Sequence, residues 1–399
     1  MSKPPRRAKI DGNFVEIGTD WTVARVRSAL NLHEQGKFRQ SSRLADAMGR
    51  EPRIAKARNK RVAALSSRSA LPFSVTPSEE GDGRKRSAAA KRQAEIWWDV
   101  CPESVIAPIQ NDTLAMGMGL GYLDWSTTGE WMPRLNWLPT HGLAFEQYAL
   151  DGERRPCWIY TDYTGVRHEV TPGDGRWFLH LPAGPRSWMS GFVRSLGLPW
   201  FAAVCTDRDW SRFNEKHWLP ILSVDEPFFA SDDVEGEDGA EGSAAAAYYE
   251  QFKNLGAESV LRNPQGQEKD QGGWSAKWLE PESESWSSFE AQLKYLGQLF
   301  DQAITGNDGT GSKGGDGELA SERVASMYLS SDAETLSSSL REQVWKPWAE
   351  YNYGDRDVAG WGRWDTRPAP DMASRATTLK TMAEAIEILA PMKVDCAPP

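Results

Sequence analysis

The sequence predicts an α+β fold in which helices and strands occupy separate stretches of the chain. Apolar residues recur at spacings of three and four across residues 21–116 and 286–345, which is the period of an amphipathic helix. Between them, residues 117–182 alternate between apolar and polar side chains, which is typical of antiparallel strands. Because these strands are consecutive rather than interleaved with helices, we do not expect a parallel βαβ sheet.

Helices dominate the part of the chain before the β unit. Asp20 is a candidate N-cap for the first helix, Gly49 is a stop signal for the second, and Pro52 is a favourable first residue of the third. The predicted elements are helices at 21–34, 38–48, 52–68, 87–100 and 104–116, and a strand at 71–77.

The β unit begins where the period changes, at Gly117. Turns are predicted at residues 127–130 and at Thr164-Gly165, each between two alternating runs. The chain then returns to helical spacing, in pieces over 191–204 and again over 207–222. An acidic, glycine-rich segment, a short helix at 244–255 and two short strands at 257–266 and 274–281 follow, before a further helix at 286–304.

Charge is distributed unevenly along the 399 residues. The formal net charge is −10, yet residues 1–100 hold 21 Lys and Arg against 11 Asp and Glu. Residues 225–290 hold 16 acidic against 4 basic residues. A basic first quarter and an acidic middle indicate segregated charged surfaces.

Several classes of protein are disfavoured by composition. No apolar run is long enough for a transmembrane helix, and the basic start lacks the apolar core of a secretory signal. Four scattered cysteines without a CxxC pair favour reduced thiols in a cytosolic protein and give no zinc pattern. Five isolated histidines provide no metal-binding spacing, so we expect neither a metal nor a cofactor.

The glycine-rich segment at 305–318 superficially resembles a phosphate-binding loop. Residues 306–313 read G-N-D-G-T-G-S-K, so the serine precedes the lysine, whereas a phosphate loop requires a hydroxyl after it. A helix rather than a strand leads into the segment. We therefore exclude a nucleoside triphosphatase, and we expect no catalytic residues.

The sequence leaves two possible binding functions of its surface residues open. The 19 tryptophans and many carboxylates could serve a glycan-active enzyme or glycan-binding module, although Trp21, Trp97 and Trp345 lie on apolar stripes that favour core packing. The basic helix around 53–61 could contact nucleic-acid phosphates, but a solvated face or a subunit contact is the more ordinary interpretation.

The order of parts resembles the bacteriophage portal proteins, and the Mu-like branch in particular. Four segments carry the similarity, together with the early helix and strand at 53–77. They are RDWSRFNEKHWLP at 208–220, LGAESVLRNPQG at 255–266, FEAQLKYLGQLFDQAITG at 289–306, and the segment from ELASERV to EYNYG at 318–354. The insertion is more acidic than the usual Mu-like pattern, and the short C-terminus predicts a short crown-like region.

This resemblance implies an elongated subunit with a helical and β wing, a helical stem, a small αβ clip and a long helix after a tunnel loop. The implied parts are a wing at 1–204, a first stem helix at 205–226, a clip at 227–283, a second stem helix at 284–304, a tunnel loop at 305–318, a long helix returning to the wing at 319–370, and a C-terminal helix with a short crown-like region at 371–399.

The resemblance also implies function and partners. Portal subunits form a ring, typically a homododecamer, at one capsid vertex of the virion after assembly in the host cytoplasm. The ring conducts double-stranded DNA, contacts the major capsid protein, and docks the terminase large subunit and then the head-completion and neck proteins. It is not an enzyme and needs no membrane. By position, the residues expected to contact DNA in the tunnel loop are Asn307, Asp308, Ser312, Lys313 and Asp316.

Overall fold

The computed structural model confirms the α+β class. It describes residues 21–127, 129–218, 221–225, 275–279, 285–306, 316–366 and 380–384. The chain divides into two compact units, one comprising Met1–Leu198 and Gly297–Pro399 and the other Pro199–Leu296. No described helix is both long and apolar enough to cross a membrane.

The five predicted N-terminal helices are all present in the first unit. They are α1 (Val23–Glu34), α2 (Arg39–Met48), α3 (Pro52–Ser66), α4 (Gly83–Val100) and α5 (Glu103–Met116). Two starts differ from prediction by two residues or more. Thr22, not Asp20, caps α1, because its hydroxyl accepts from the Arg25 amide at 3.3 Å. Helix α4 begins four residues early, since the Asp82 carboxylate accepts from the Arg84 amide at 3.0 Å.

The predicted β unit forms two separate three-stranded antiparallel sheets. Strand β1 (Phe73–Thr76) precedes this unit. The six strands of the unit are β2 (Gly119–Thr127), β3 (Trp131–Leu138), β4 (Leu143–Glu146), β5 (Cys157–Thr161), β6 (Arg167–Val170) and β7 (Trp177–His180). The sheet orders are β3-β2-β7 and β4-β5-β6. Both predicted hairpin turns are confirmed, and Gly129 and Gly165 adopt the positive φ angles of 101° and 84° that such turns require.

A strand that was not predicted, β10 (Trp361–Trp364), pairs with β1 near the other end of the chain. Phe73 lies opposite Trp364, and Gly362 lies against the Trp97 ring so closely that a Cβ atom would collide with it. Trp97 stacks on Trp345 with ring centroids 5.0 Å apart. This aromatic cluster is the centre of the main core, where Trp97, Trp345 and Trp348 are at most 1% exposed.

Residues 316–353 of the first unit form one nearly continuous helical rod. Helix α8 (Asp316–Leu340) passes through a single π-helical turn (Arg341–Trp345) into α9 (Lys346–Tyr353). Pro347 has no amide hydrogen to donate to a carbonyl one turn earlier, which accounts for a wider turn at this point. Gly354 ends the rod with a φ of 73°.

Amide side chains of this rod close both edges of the β3-β2-β7 sheet. Gln343 accepts from the Leu179 amide at 2.7 Å and donates to the Leu179 carbonyl at 2.9 Å. Asn352 makes the same pair of bonds with Trp131, at 2.8 and 2.9 Å. Backbone groups that an edge strand would otherwise leave unpaired are thereby satisfied, and the sheet is fixed to the rod.

Helix α6 (Phe192–Trp218) is a single helix that includes Pro199, rather than the two predicted pieces. The predicted helical continuation to residue 222, and with it a first stem helix reaching 226, is wrong. Residues Ile221–Asp225 form strand β8, which pairs antiparallel with β9 (Ser275–Leu279). Pro220 disfavours helix there, and the following apolar, β-branched residues favour strand.

Strand β9 confirms the strand predicted at 274–281, and helix α7 (Ser285–Thr305) confirms the one predicted at 286–304. The helix predicted at 244–255 and the strand predicted at 257–266 lie outside the described residues. Of the C-terminal helix expected within 371–399, the structure describes residues 380–384, which are helical.

Candidate functional site

The candidate site is the junction where α7 ends and α8 begins, which we call the loop base. Helix α7 ends at Thr305, and Gly306 follows with a φ of 74° and donates its amide hydrogen to the Gln302 carbonyl at 2.9 Å. This is the left-handed glycine cap that commonly ends a helix. The connecting segment is therefore residues 307–315, shorter than the predicted loop at 305–318.

The predicted DNA-contacting residues do not all belong to that segment. Asp316 was predicted in the loop, but it is the first residue of α8. Asn307, Asp308, Ser312 and Lys313 lie outside the described residues. Their role in contacting DNA stays a prediction.

Gly306 lies against the first described side chains of α8. A Cβ atom at this position would collide with the ring of Tyr328 and come within 2.9 Å of Val324. The two helices thus meet closely on either side of the connecting segment. Glycine is required here both by the positive φ and by the space available.

Arg61 of α3 connects the two sides of the loop base. Its Nε and Nη2 donate to the two carboxylate oxygens of Asp332 in α8, at 2.6 and 2.8 Å. Its Nη1 donates to the Ile304 carbonyl in the last turn of α7, at 2.6 Å. The guanidinium also lies over the Tyr328 ring, 5.0 Å from the centroid. One side chain therefore contacts the end of α7 and two positions of α8.

The electrostatics of this arrangement are favourable for physical reasons. The last four carbonyls of a helix lack partners within the helix and form its negative end, so a cation is stabilised there. The fork of the guanidinium matches the carboxylate of Asp332, and both side chains are only about 15% exposed. Both are therefore shielded from much of the solvent that weakens ion pairs at the surface.

The elements that carry these residues are themselves firmly packed. Helix α3 buries Ile54, Val62 and Leu65, and the end of α7 buries Phe300 and Ile304. Helix α8 buries its next turns in the aromatic core described above. The loop base is consequently set by the core of the first unit rather than by the connecting segment.

The basic helix 53–61 is largely paired within the chain. Arg53 binds Glu51 at 2.6 Å, Arg61 binds Asp332, and Arg58 is half-buried with a pKa lowered by desolvation. Lys56 and Lys60 are exposed. The structure therefore favours a solvated face with structural arginines over a continuous phosphate-binding stripe.

Two carboxylates and an arginine form a separate titratable cluster in the first unit. Burial raises the pKa of Asp112 to about 7 and also raises that of Asp46, and each interacts with the other and with Arg58. Asp112 accepts a hydrogen bond from the Trp137 indole at 2.9 Å. Asp46, Arg58 and Asp112 thus connect α2, α3 and α5, and this structural role accounts for them without catalysis. Among the described residues, no group of His, Cys, Asp and Glu could hold a metal ion.

The tryptophans whose side chains the structure describes are mostly buried or partly buried, as packing requires. Eight of these described tryptophans are buried: Trp97, Trp158, Trp177, Trp188, Trp200, Trp345, Trp348 and Trp364. Among described tryptophans, Trp137 is the most exposed, at 39%, and its indole is bound to Asp112. The structure therefore gives the glycan-binding alternative no support.

Comparison with known proteins defines the class. The model of the family described as the portal protein of Mu bacteriophage matches residues 42–394. The chain therefore belongs to the Mu bacteriophage portal protein family, and the resemblance inferred from the sequence is confirmed. The family is one of structural proteins rather than enzymes. No match was found among proteins with curated descriptions.

The chain also aligns with several solved structures at low sequence identity. The neck of an empty gene transfer agent particle, computed with C6 symmetry, aligns with a TM-score of 0.49 and 15% identity over 87% of each chain. The neck of the native particle, computed with C12 symmetry, aligns with a TM-score of 0.47 and 16% identity over 90% and 89%. An HK97-family portal protein from Corynebacterium diphtheriae aligns with a TM-score of 0.43 and 10% identity, over 80% of this chain and 94% of that protein.

Arg61 is the residue of the loop base that the sequence analysis did not single out. The sequence showed it only as one of several basic residues on α3. Its partners lie 243 and 271 positions away, so no local pattern could connect them. The single available signal was its position four residues before Leu65, next to the buried stripe.

Proposed function

We propose that this chain assembles into a homo-oligomeric ring, most simply a homododecamer, through which double-stranded DNA enters and leaves a phage capsid. Membership of the Mu portal family is the observation that carries the proposal. The ring would sit at the portal vertex of the virion and assemble in the host cytoplasm. The terminase large subunit, the major capsid protein and the head-completion or neck proteins are its proposed partners.

The acidic middle of the chain supports a conduit rather than a DNA-binding surface. Residues 225–290 carry 16 acidic and 4 basic residues, and a ring repeats that excess once per subunit. A wall that neutralised many phosphates would hold DNA tightly, because each contact releases counterions. A negative wall instead repels the duplex and lets it slide.

The helix–loop–helix supports the same function. Helix α7 has 21 residues and so is about 31 Å long at 1.5 Å per residue. It leads to a polar, glycine-rich segment whose ends are held by the loop base. We propose that Asn307, Ser312 and Lys313 make brief phosphate contacts there, and that Asp308, with Asp316 at the start of α8, keeps them weak.

Replacing residues 307–315 by a glycine–serine segment of equal length tests this assignment. The chain still closes, but the Asn307 amide, the Asp308 carboxylate and the Lys313 ammonium are removed. We expect rings to form normally and DNA packaging or retention to fall. Lys313→Gln should reproduce part of the loss, whereas Lys56→Gln, which removes an exposed charge from α3, should not.

Two outcomes would contradict the assignment. Normal packaging by the glycine–serine variant would mean that the segment does not act on DNA. Loss of rings in that variant would mean that the segment is an assembly element. Electron microscopy of the purified variant distinguishes these outcomes before any packaging assay is performed.

A further inference from the structure

We propose that Arg61 is a positioning residue, which ties the loop base to helix α3 so that the two ends of the connecting segment keep a fixed separation while DNA passes. This inference rests on the proposed function of the segment. The portal assignment says nothing of Arg61, which lies in α3, far from the connecting segment in the sequence. The inference gives this residue a mechanical role.

The geometry distinguishes positioning from direct DNA contact. Three nitrogens of the Arg61 guanidinium already donate to Asp332 and the Ile304 carbonyl at 2.6 to 2.8 Å. Its face lies over the Tyr328 ring. The Arg61 side chain is only 15% exposed, and both the edge and the face of its guanidinium are already in contact with the protein. It is therefore poorly available to bind a phosphate. Its action on DNA is therefore exerted through the two helices.

Each bond of Arg61 constrains a different side of the junction. The bond to Ile304 holds the last turn of α7, next to the glycine cap at Gly306. The paired bonds to Asp332 hold α8 four turns after its first residue. Without the guanidinium, the negative charge of the Asp332 carboxylate would be uncompensated near the partial negative charge of the Ile304 carbonyl at the end of α7. Repulsion between them would favour separation of the two helix ends.

A lysine could not perform the same task. Its ammonium is a point charge at the end of a flexible stem, whereas arginine presents a planar fork that binds a carboxylate bidentately and still offers a third donor. Arg61→Lys would therefore keep the charge balance near Asp332 while losing the simultaneous hold on Ile304. The conservative variant separates charge from geometry.

The test uses the assembled full-length protein and hydrogen exchange read by mass spectrometry. In Arg61→Met rings, we expect amides at the end of α7, including Gly306, to exchange roughly ten to a hundred times faster. That range corresponds to losing one charge-assisted hydrogen bond. In Arg61→Lys rings, the Gly306 amide should exchange about as fast as in Arg61→Met rings, because lysine does not restore the bond to Ile304. Lys60→Met, which removes the neighbouring exposed charge of the same helix, should leave it unchanged.

DNA packaging provides the functional readout, and Ile54→Ala provides the control for general destabilisation. Ile54 is fully buried in α3 and is not among the partners of the loop base. We expect Arg61→Met to lower packaging more than Ile54→Ala at matched loss of ring stability. Equal losses at matched stability would overturn the positioning role, because they would reduce Arg61 to a stabilising residue.

The inference and the proposed function fail in distinguishable ways. Unchanged Gly306 exchange in Arg61→Met rings refutes the positioning role, whatever the packaging result. Normal packaging by the glycine–serine variant, combined with fast Gly306 exchange in Arg61→Met, refutes the proposed role of the segment but keeps the mechanical link.

Discussion

His180 makes the stability of the first unit sensitive to mild acid. Its ring is 1% exposed, at the end of β7, and its Nδ1 lies 2.8 Å from the Ser339 hydroxyl of α8. Burial lowers its pKa from 6.5 to about 4, since a charged imidazole would be desolvated there. The histidine is therefore neutral in the folded protein at neutral pH.

The sign and size of the effect follow from this shift. Below pH 6.5 the unfolded chain binds a proton at His180 that the folded chain refuses until the pH approaches 4. The free energy of unfolding therefore falls as the pH is lowered through this window. The full loss is about 3 kcal/mol, and about 2 kcal/mol of it occurs between pH 7 and pH 5.

Urea unfolding at pH 7 and pH 5 measures this loss, at fixed protein concentration because the protein is expected to be oligomeric. His180→Asn retains a polar group near Ser339 but cannot titrate, so its stability should fall by about 2 kcal/mol less than wild type over the same pH interval. Burial also lowers the pKa of His33, so the variant keeps some pH dependence. Equal losses in wild type and variant would show that the His180 ring is not held neutral.

Two further substitutions test the junctions described above. Gly306→Ala should destabilise the protein by at least about 1 kcal/mol, because an alanine is strained at its φ of 74° and meets a tyrosine ring. Gly297→Ala in the same helix should be neutral or stabilising, and a similar fall in melting temperature for both would contradict the cap assignment. Asn352→Leu should cost about 2 kcal/mol by leaving the Trp131 amide and carbonyl unpaired, as urea unfolding would measure. Asn136→Leu, a control that loses one carbonyl bond, should cost less, and an equal cost would refute the edge-closing role.

Much of the architecture was predictable because it depends on neighbouring residues. Pro52 begins α3 and Gly117 ends α5 with a φ of 78°, both by local backbone rules. The arms of the helix–loop–helix were likewise predictable from apolar spacing. The order of the segments and the four quoted stretches carried the resemblance to portal proteins that the family match confirms.

What the sequence could not reveal depends on distant pairing. Strand β10 forms by pairing with β1, where residue 364 lies opposite residue 73. No pattern within the sequence WGRW predicts that pairing. Strand β8 was mistaken for helix, since its aromatic-rich approach continued the helical spacing as far as Pro220. The role of Arg61 depends on three helices meeting, which only the folded chain displays.

The most direct test of the account is single-particle electron microscopy of the purified chain, labelled at Ser312→Cys with an electron-dense maleimide and compared with treated wild type. The account predicts annular particles with rotational symmetry, a central channel wide enough for duplex DNA, and label density at the channel wall. Monomers at high concentration, or rings whose label lies on the outer surface, would contradict it.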